Sequence, residues 1–268
     1  MPELPEVESL AKELRRTLLG ARIQRAWFDW PRTIAGVAPN KFASAVSRQT
    51  ILDVSRRGKY IVFSLQREKK GASLIFHLRM SGRMFLAKES VEPEKHDRFR
   101  FFLDDRRVLF FRDPRKFGRV YFVSHEEEVL HSLGPEPLSK EFSLDHLARI
   151  LSRSKMRIKP LLLNQRFVAG LGNIYVDEAL WRACLHPERR ASSLSKTEVA
   201  QLRDAVRSTI REAIKKKGTD FGDGVVPGGK FSPQAYGRTG EPCHRCESAI
   251  ERIVVAQRGT HFCPRCQK

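Results

Sequence analysis

Residues 98–123 read RFRFFLDDRRVLFFRDPRKFGRVYFV. Three short runs of aromatic and β-branched residues, RFRFFL (98–103), VLFF (108–111) and GRVYFV (118–123), are separated by polar turns such as Asp104-Asp105-Arg106-Arg107. Runs of this kind, bounded by turn residues, predict β-strands. Towards the N-terminus, YIVFSL (60–65) and SLIFHL (73–78) repeat the pattern. Five or more short strands at close spacing predict a sandwich or barrel. Before them, Val7, Leu10, Leu14 and Leu18 recur at helical spacing between Pro5 and Leu19, and Gly20 is a natural stop. That helix is expected to pack on the strands.

Beyond the strands the texture changes. Leu133-Gly134-Pro135-Glu136-Pro137 marks a boundary, and the pattern after it is helical. Ser195 and Glu198 form a capping-box signature, with Val199, Leu202, Val206, Ile210 and Ala213 following down one face. The helix should end at Gly218, after three lysines at 215–217 that suit the negative end of its dipole. Residues 219–229, TDFGDGVVPGG, read as a mobile loop. The predicted domains are 1–133, 134–230 and 231–268.

The 268 residues carry 50 Lys plus Arg against 31 Asp plus Glu, a net charge of +19. A hydrophobic fraction of 41% with 17 Phe is too apolar for a disordered basic tail. No stretch approaches the roughly 20 apolar residues of a membrane span. The opening MPELPEVESL carries Glu3, Glu6 and Glu8, which is unlike a signal or transit peptide. The expectation is a folded intracellular protein whose partner is a polyanion.

Four of the five cysteines fall in the last 26 residues, as Cys243-x2-Cys246 and Cys263-x2-Cys266. This spacing predicts one structural Zn²⁺ held by four thiolates, with no open position for chemistry. His244 and His261 are alternative ligands, but both interrupt a complete four-Cys set. Between the knuckles, IERIVVAQ (250–257) and THFC are expected as strands joined at an Arg258-Gly259 turn, with Arg258 at the tip. Cys184 stands alone and is expected as a small buried core residue.

Pro2-Glu3 is a chemical group in its own right. A small residue after Met1 permits trimming of the initiator, leaving a secondary amine at the chain start. An α-amino group titrates nearer neutrality than a lysine. Attack on a sugar carbon would give an iminium, the electron sink of Schiff-base catalysis, with Glu3 positioned to move protons. By residue type alone, Pro and Glu at a helix start are equally ordinary capping chemistry.

MPELPEVE (1–8), SRRGKY (55–60), HLRMSGR (77–83), DPRKFG (113–118), GLGNIYVDEAL (170–180), and YGRTGEPC with RGTHFCPRC at the end occur in this order. Together they resemble the bacterial formamidopyrimidine-DNA glycosylase family over essentially the whole chain. The resemblance implies an α+β chain of two domains. An N-terminal helix on a β-sandwich would be followed by a helical helix–two-turns–helix domain with a C-terminal β-hairpin zinc finger. It implies Pro2 as nucleophile, Glu3 as proton donor and acceptor, and Glu6 as a second acid near the site. Lys59, His77, Asn173, Tyr236 and Arg258 would hold the phosphates that flank a flipped nucleotide. Lys59 and Arg258 are counted with the catalytic set. Met80, Arg115 and Phe117 would fill the gap left in the base stack. Without the resemblance, Lys59 reads as a strand-end charge, His77 as a sheet histidine, Asn173 as a turn residue, and Met80 and Phe117 as core.

The expected activity is therefore excision of oxidised purines (8-oxoguanine and formamidopyrimidines) from duplex DNA, with strand cleavage by β,δ-elimination. The expected partner is damaged double-stranded DNA, with no membrane, for a monomer in the cytoplasm, nucleoid-associated when on DNA. Two other readings remain: an oxidised-pyrimidine glycosylase of the endonuclease VIII type, and a non-catalytic zinc-ribbon DNA-binding protein. Two departures from the family pattern stand out. KKKGTDFGDGVVPGGKF replaces the usual Gly-Gly-Thr-Thr-like loop start, and Asn164 stands where the family commonly has Asp.

Overall fold

The computed structural model describes residues 2–220, 222 and 228–268, and most of the loop expected at 219–229 lies outside them. The described residues form two compact units, one through His131 and one comprising Ser132–Thr219 and Gly228–Lys268.

The first unit begins with α1 (Leu4–Leu18). It then runs β1 (Ile23–Phe28), β2 (Ile34–Ala35), α2 (Pro39–Val46), β3 (Thr50–Arg57), β4 (Tyr60–Arg67) and β5 (Lys70–His77). β6 (Arg83–Lys88), β7 (Asp97–Leu103), β8 (Arg107–Arg112), β9 (Arg119–Val123) and a short α3 (Glu127–Leu130) complete it. The strands make a four-stranded sheet, β1-β7-β8-β6, and a five-stranded sheet, β2-β9-β5-β4-β3. Every pairing is antiparallel except β2 with β9.

The two sheets meet through aromatic side chains. Phe76 of β5 lies 5.8 Å from Phe101 of β7 and 5.6 Å from Phe111 of β8, ring centre to ring centre. Phe42 of α2 closes one side against Phe99 and Phe101. Offset and edge-on ring pairs of this kind add about 0.5–1.5 kcal/mol each beyond their buried area. α1 contributes Val7, Leu14 and Leu18 to the same core. Its periodicity is the one read from the sequence, and Gly20 at φ +81° reverses the chain after it.

The strands legible in the sequence are β4, β5, β7, β8 and β9, which are the interior strands of the two sheets. The four that escaped it, β1, β2, β3 and β6, are the edges. Interior strands are walled by neighbours and the opposite sheet, so their sequences are continuous apolar runs. Edge strands leave one backbone row in solvent and carry charges. β3, TILDVSRR, is an example, with Leu52 52% exposed and Asp53 bonded outward to Arg15.

The second unit holds α4 (Leu144–Ser152), α5 (Ile158–Leu163), α6 (Asn173–Arg182), α7 (Lys196–Lys215) and a hairpin of β10 (Glu251–Val255) and β11 (Arg258–Phe262). α7 starts at Ser195 with both halves of the Ser195–Glu198 capping box formed. It ends before Lys217 and Gly218, both at left-handed φ. The two turns between α5 and α6 are tied by Gln165. Its Nε2 donates to the Leu163 and Leu171 carbonyls, and its Oε1 accepts the Gly170 N–H. Asn164 caps α5, and its Oδ1 accepts the Arg166 N–H at 3.0 Å.

Two expectations are corrected. The hairpin reverses at Ala256-Gln257 (φ 48° and 62°), with Val255 paired to Arg258. The Gly259 carbonyl accepts from both Lys159 and Asn173, which holds Gly259 in strand geometry and moves the reversal back. Cys184 is exposed, because it sits at φ 57° just past α6, where the chain turns the side chain outward.

Candidate active site and metal centre

Within the first unit, the residues of interest gather at one end of the sandwich. α1 lies along β3, with Arg56 Nε donating to Glu8 Oε2 at 2.7 Å near its N-terminus and Gly20 N–H bonded to the Ile51 carbonyl at its far end. Pro2 is buried, and Glu3 and Glu6 are 1% and 4% exposed. Glu3 is the N-cap of α1, and its N–H donates to Glu6 Oε2 at 2.8 Å in a reciprocal capping box. The capping reading and the catalytic reading of these residues are thus both compatible with one geometry. Helix capping fixes the Glu3 backbone at the start of α1.

Lys59 lies in the two-residue turn between β3 and β4 and is 8% exposed. Gly58 takes φ +58° in the first central position, where a type II′ hairpin calls for glycine. Across the sheet, Tyr60 pairs with His77, and their rings meet edge-on at 4.6 Å. Burial pushes the His77 imidazole down to about 3, helped by the positive charges of Arg79 and Lys59. His77 is therefore neutral at physiological pH. Its Nδ1 accepts the Arg79 N–H at 3.0 Å, which leaves the proton on Nε2 as a donor.

Met80 and Phe117 are 42% and 49% exposed, so neither is a core residue. The Arg115 guanidinium lies 4.9 Å from the centre of the Phe117 ring. The residue that joins these two loops is Asp113, which sequence reasoning passed over. It is 1% exposed, its Oδ1 accepts from the Ser81 hydroxyl at 2.6 Å and its Oδ2 from the Gly118 N–H at 2.7 Å. Ser81 adjoins Met80, and Gly118 adjoins Phe117, so one buried carboxylate sets both apolar tips. Gly118 is required here, since a Cβ would meet the Phe111 ring at 2.4 Å.

The second unit arranges its residues around buried charge. Lys159 and Asp177 are fully buried and bonded at 2.6 Å. Asp177 also accepts the His261 N–H at 2.9 Å. Asn173 opens α6, and its Nδ2 donates to the Gly259 carbonyl at 2.9 Å. Glu178, 2% exposed, accepts the backbone N–H groups of Gln234, Ala235 and Tyr236. Burial raises its carboxyl above the usual range, against the lowering effect of those three bonds. Glu178 thereby sets Tyr236, whose ring also meets His261 at 4.9 Å. Arg258 is exposed at the start of β11, beside the hairpin turn.

Cys243, Cys246, Cys263 and Cys266 bring their Sγ atoms within 4.8 Å of one another. A tetrahedral site with Zn–S near 2.3 Å needs S–S edges of about 3.8 Å, and the donor set is the soft thiolate one that zinc selects. Backbone and side-chain bonds from Ser248 hold the Cys246 thiol down to about 6. The Trp181 indole N–H points at Cys243 Sγ at 3.4 Å. The residues fit a closed structural zinc. His244 and His261 are engaged elsewhere, His244 with Gln234 and His261 against Asp177 and Tyr236.

Comparison with known proteins gives this arrangement its context. Residues 1–120 match the formamidopyrimidine-DNA glycosylase N-terminal domain, 133–223 the formamidopyrimidine-DNA glycosylase H2TH domain, and 240–268 the zinc finger found in FPG and IleRS. The chain belongs to the formamidopyrimidine-DNA glycosylase family. A formamidopyrimidine-DNA glycosylase of Herpetosiphon aurantiacus is 43% identical over 275 residues, covering 100% of both chains. The Lactococcus lactis Fpg bound to DNA with an abasic site superposes with a TM-score of 0.93 at 37% identity, again over 100% of both chains. The same enzyme bound to DNA containing N7-benzyl-Fapy-dG gives 0.93 at 38% identity and the same coverage. The resemblance carried by the motifs is thus upheld, as are the α+β class, the H2TH domain and the zinc finger.

Proposed function

We infer that the chain is a bifunctional DNA glycosylase and abasic-site lyase of base excision repair, acting on oxidised purines in double-stranded DNA. One observation carries the reading. The end of the sandwich that holds buried Pro2 and Glu3 also holds Lys59, neutral His77 and the exposed tips of Met80, Arg115 and Phe117. That is a nucleophile with proton-transfer partners beside a set of residues suited to a base stack.

In this reading Met1 is removed and the Pro2 amine attacks C1′ of the lesion nucleotide. The C1′–N bond breaks, the base leaves with its electron pair and a proton, and Glu3 assists ring opening by proton transfer. The resulting iminium acidifies the C2′ hydrogen, so the 3′ phosphate leaves by β-elimination and the 5′ phosphate by δ-elimination. Water then releases the sugar fragment and restores the amine.

Lys59, His77, Asn173, Tyr236 and Arg258 hold flanking phosphates, His77 as an uncharged Nε2–H donor. Phe117 and Met80 wedge into the stack, while Arg115 donates to O2 or N3 of the widowed cytosine. Zinc at the four cysteines supplies folding of the finger and no chemistry. The working parts are 1–133, 134–230 and 231–268. One chain contains all the named groups, so it acts as a monomer, on DNA in the bacterial cytoplasm. Among the described residues, no helix is long and apolar enough to cross a membrane.

Borohydride reduction of the protein mixed with duplex DNA carrying 8-oxoguanine opposite cytosine tests this. The expected product is a covalent adduct whose peptide map places DNA on Pro2. An adduct on a lysine, or none on any duplex, refutes the nucleophile. Fastest excision of thymine glycol in the same assay refutes the purine preference alone.

A further inference from the structure

The opposite end of the sandwich is also built. β4 and β5 are antiparallel, with Lys59 and His77 at one end and Arg67 and Lys70 at the other. Eight residues at ~3.3 Å each separate the two ends by roughly 23 Å. At the far end a pocket of about 590 Å³ opens among Arg22, Arg48, Arg67 and Lys70. Among the described residues none of these four cations has a carboxylate within ion-pair distance. Arg22 and Arg67 spend N–H groups on backbone carbonyls at 3.3–3.4 Å, which orients them without neutralising them.

Two carboxylates, Glu68 and Glu128, share the lining, and Glu128 already accepts the His125 N–H. Four cations against two carboxylates leave an excess of two positive charges. The remaining wall is not ionic. Phe122 offers half-buried aromatic surface. Gln49, 4% exposed, donates its Nε2 to the Ala45 carbonyl, and among the described residues its buried Oε1 has no hydrogen-bond partner. A pocket of a few hundred cubic ångströms with a few convergent polar groups has the form of a small-molecule site. A nucleic-acid strand instead needs an extended track of cations and stacking rings.

We propose that this pocket binds a nucleotide-sized phosphate ester. The phosphate would take the guanidinium forks of Arg48 and Arg67 with the Lys70 ammonium, its charge matching the excess. An apolar or ring portion of the same ligand would lie on Phe122.

The test is calorimetric titration of the full zinc-bound chain with ADP and, separately, inorganic pyrophosphate. ADP should bind, and Arg67→Gln/Lys70→Gln should weaken it at least tenfold while affinity for lesion DNA is unchanged. All substituted side chains are exposed, and the melting temperature confirms that the variant folds. Lys140→Gln/Arg153→Gln, which removes equal charge elsewhere, should leave ADP binding intact. The proposal fails if ADP does not bind, or if the Lys140/Arg153 variant or Arg258→Gln weakens it as much as the pocket variant does. Pyrophosphate binding as tightly as ADP would overturn the ester assignment and leave a bare anion site.

Discussion

The sandwich and the helical unit position their functional groups by different means. In the sandwich, a phenylalanine-rich interior fixes the strands, and polar side chains hang from turns at one end. Phe76 touches Phe63, Phe101 and Phe111 and is wholly buried. In the helical unit, an apolar core that includes Leu161, Leu171, Tyr175 and Leu202 also encloses an ion pair. Lys159 and Asp177 are as buried as Phe76, and they reach the Gly259 carbonyl and the His261 N–H of the finger. The difference matters because apolar burial is non-directional and additive, whereas a buried ion pair is worth little in sum but costly to break by halves.

The largest expected effect concerns the metal of the helical unit. Cys243→Ser should lose zinc, read by metal analysis. Amide exchange should then become fast across 240–268 while β4 and β5 stay protected. Equal loss of protection in both would break the comparison.

The next effect tests apolar against ionic interiors directly. Phe76→Ala should cost about 3–5 kcal/mol from transfer and cavity terms. Lys159→Met should cost a similar ~3–5 kcal/mol, because Asp177 is left charged and alone. The signatures separate in the second step. Lys159→Met/Asp177→Asn should recover a substantial part of the loss in denaturant unfolding, since the orphaned charge is gone and Asn still accepts the His261 N–H. If the double variant is no more stable than the single, the pair is not what organises the finger.

A smaller effect follows from His77. Folded, it titrates at about 3, and unfolded near 6.5. The unfolded chain therefore takes up this proton first, so the contribution of His77 is fully present above about pH 6.5 and declines as pH falls towards 3. His77→Gln should flatten the pH dependence of stability between pH 4 and 6. Retention of the full slope in the variant would exclude His77 as its source. The smallest effect on stability belongs to Phe117→Ala, within about 0.5 kcal/mol, as for other exposed positions. Its lesion excision should nonetheless fall, which separates a wedge from a core residue.

The fold was legible where local chemistry agrees with its surroundings. Interior strands are apolar runs because both their faces are covered, and the Ser195–Glu198 box caps α7 with groups three residues apart. Edge strands were missed because their sequences answer to solvent on one side. The candidate site was proposed from motifs, and the roles of Pro2 and Glu3 rest on the resemblance, since residue type alone favours capping. The loop at 219–229, where its motif departs from the family, lies largely outside the described residues.

The sequence by itself determined the four-cysteine set, the interior strands, the α1 and α7 boundaries and the family. Each of these depends on spacing within a few residues or on an ordered set of motifs. Only the tertiary structure decided that Asp113 bonds both Ser81 and Gly118, that Asp177 faces Lys159, and that Glu178 gathers three N–H groups of the Tyr236 loop. It likewise decided that the finger reverses at Ala256-Gln257 and that Cys184 faces outward. For all but Cys184, the physical reason is common. A buried polar group takes whichever partner folding brings within about 3 Å, and that partner can lie tens of residues away, where no local pattern records it.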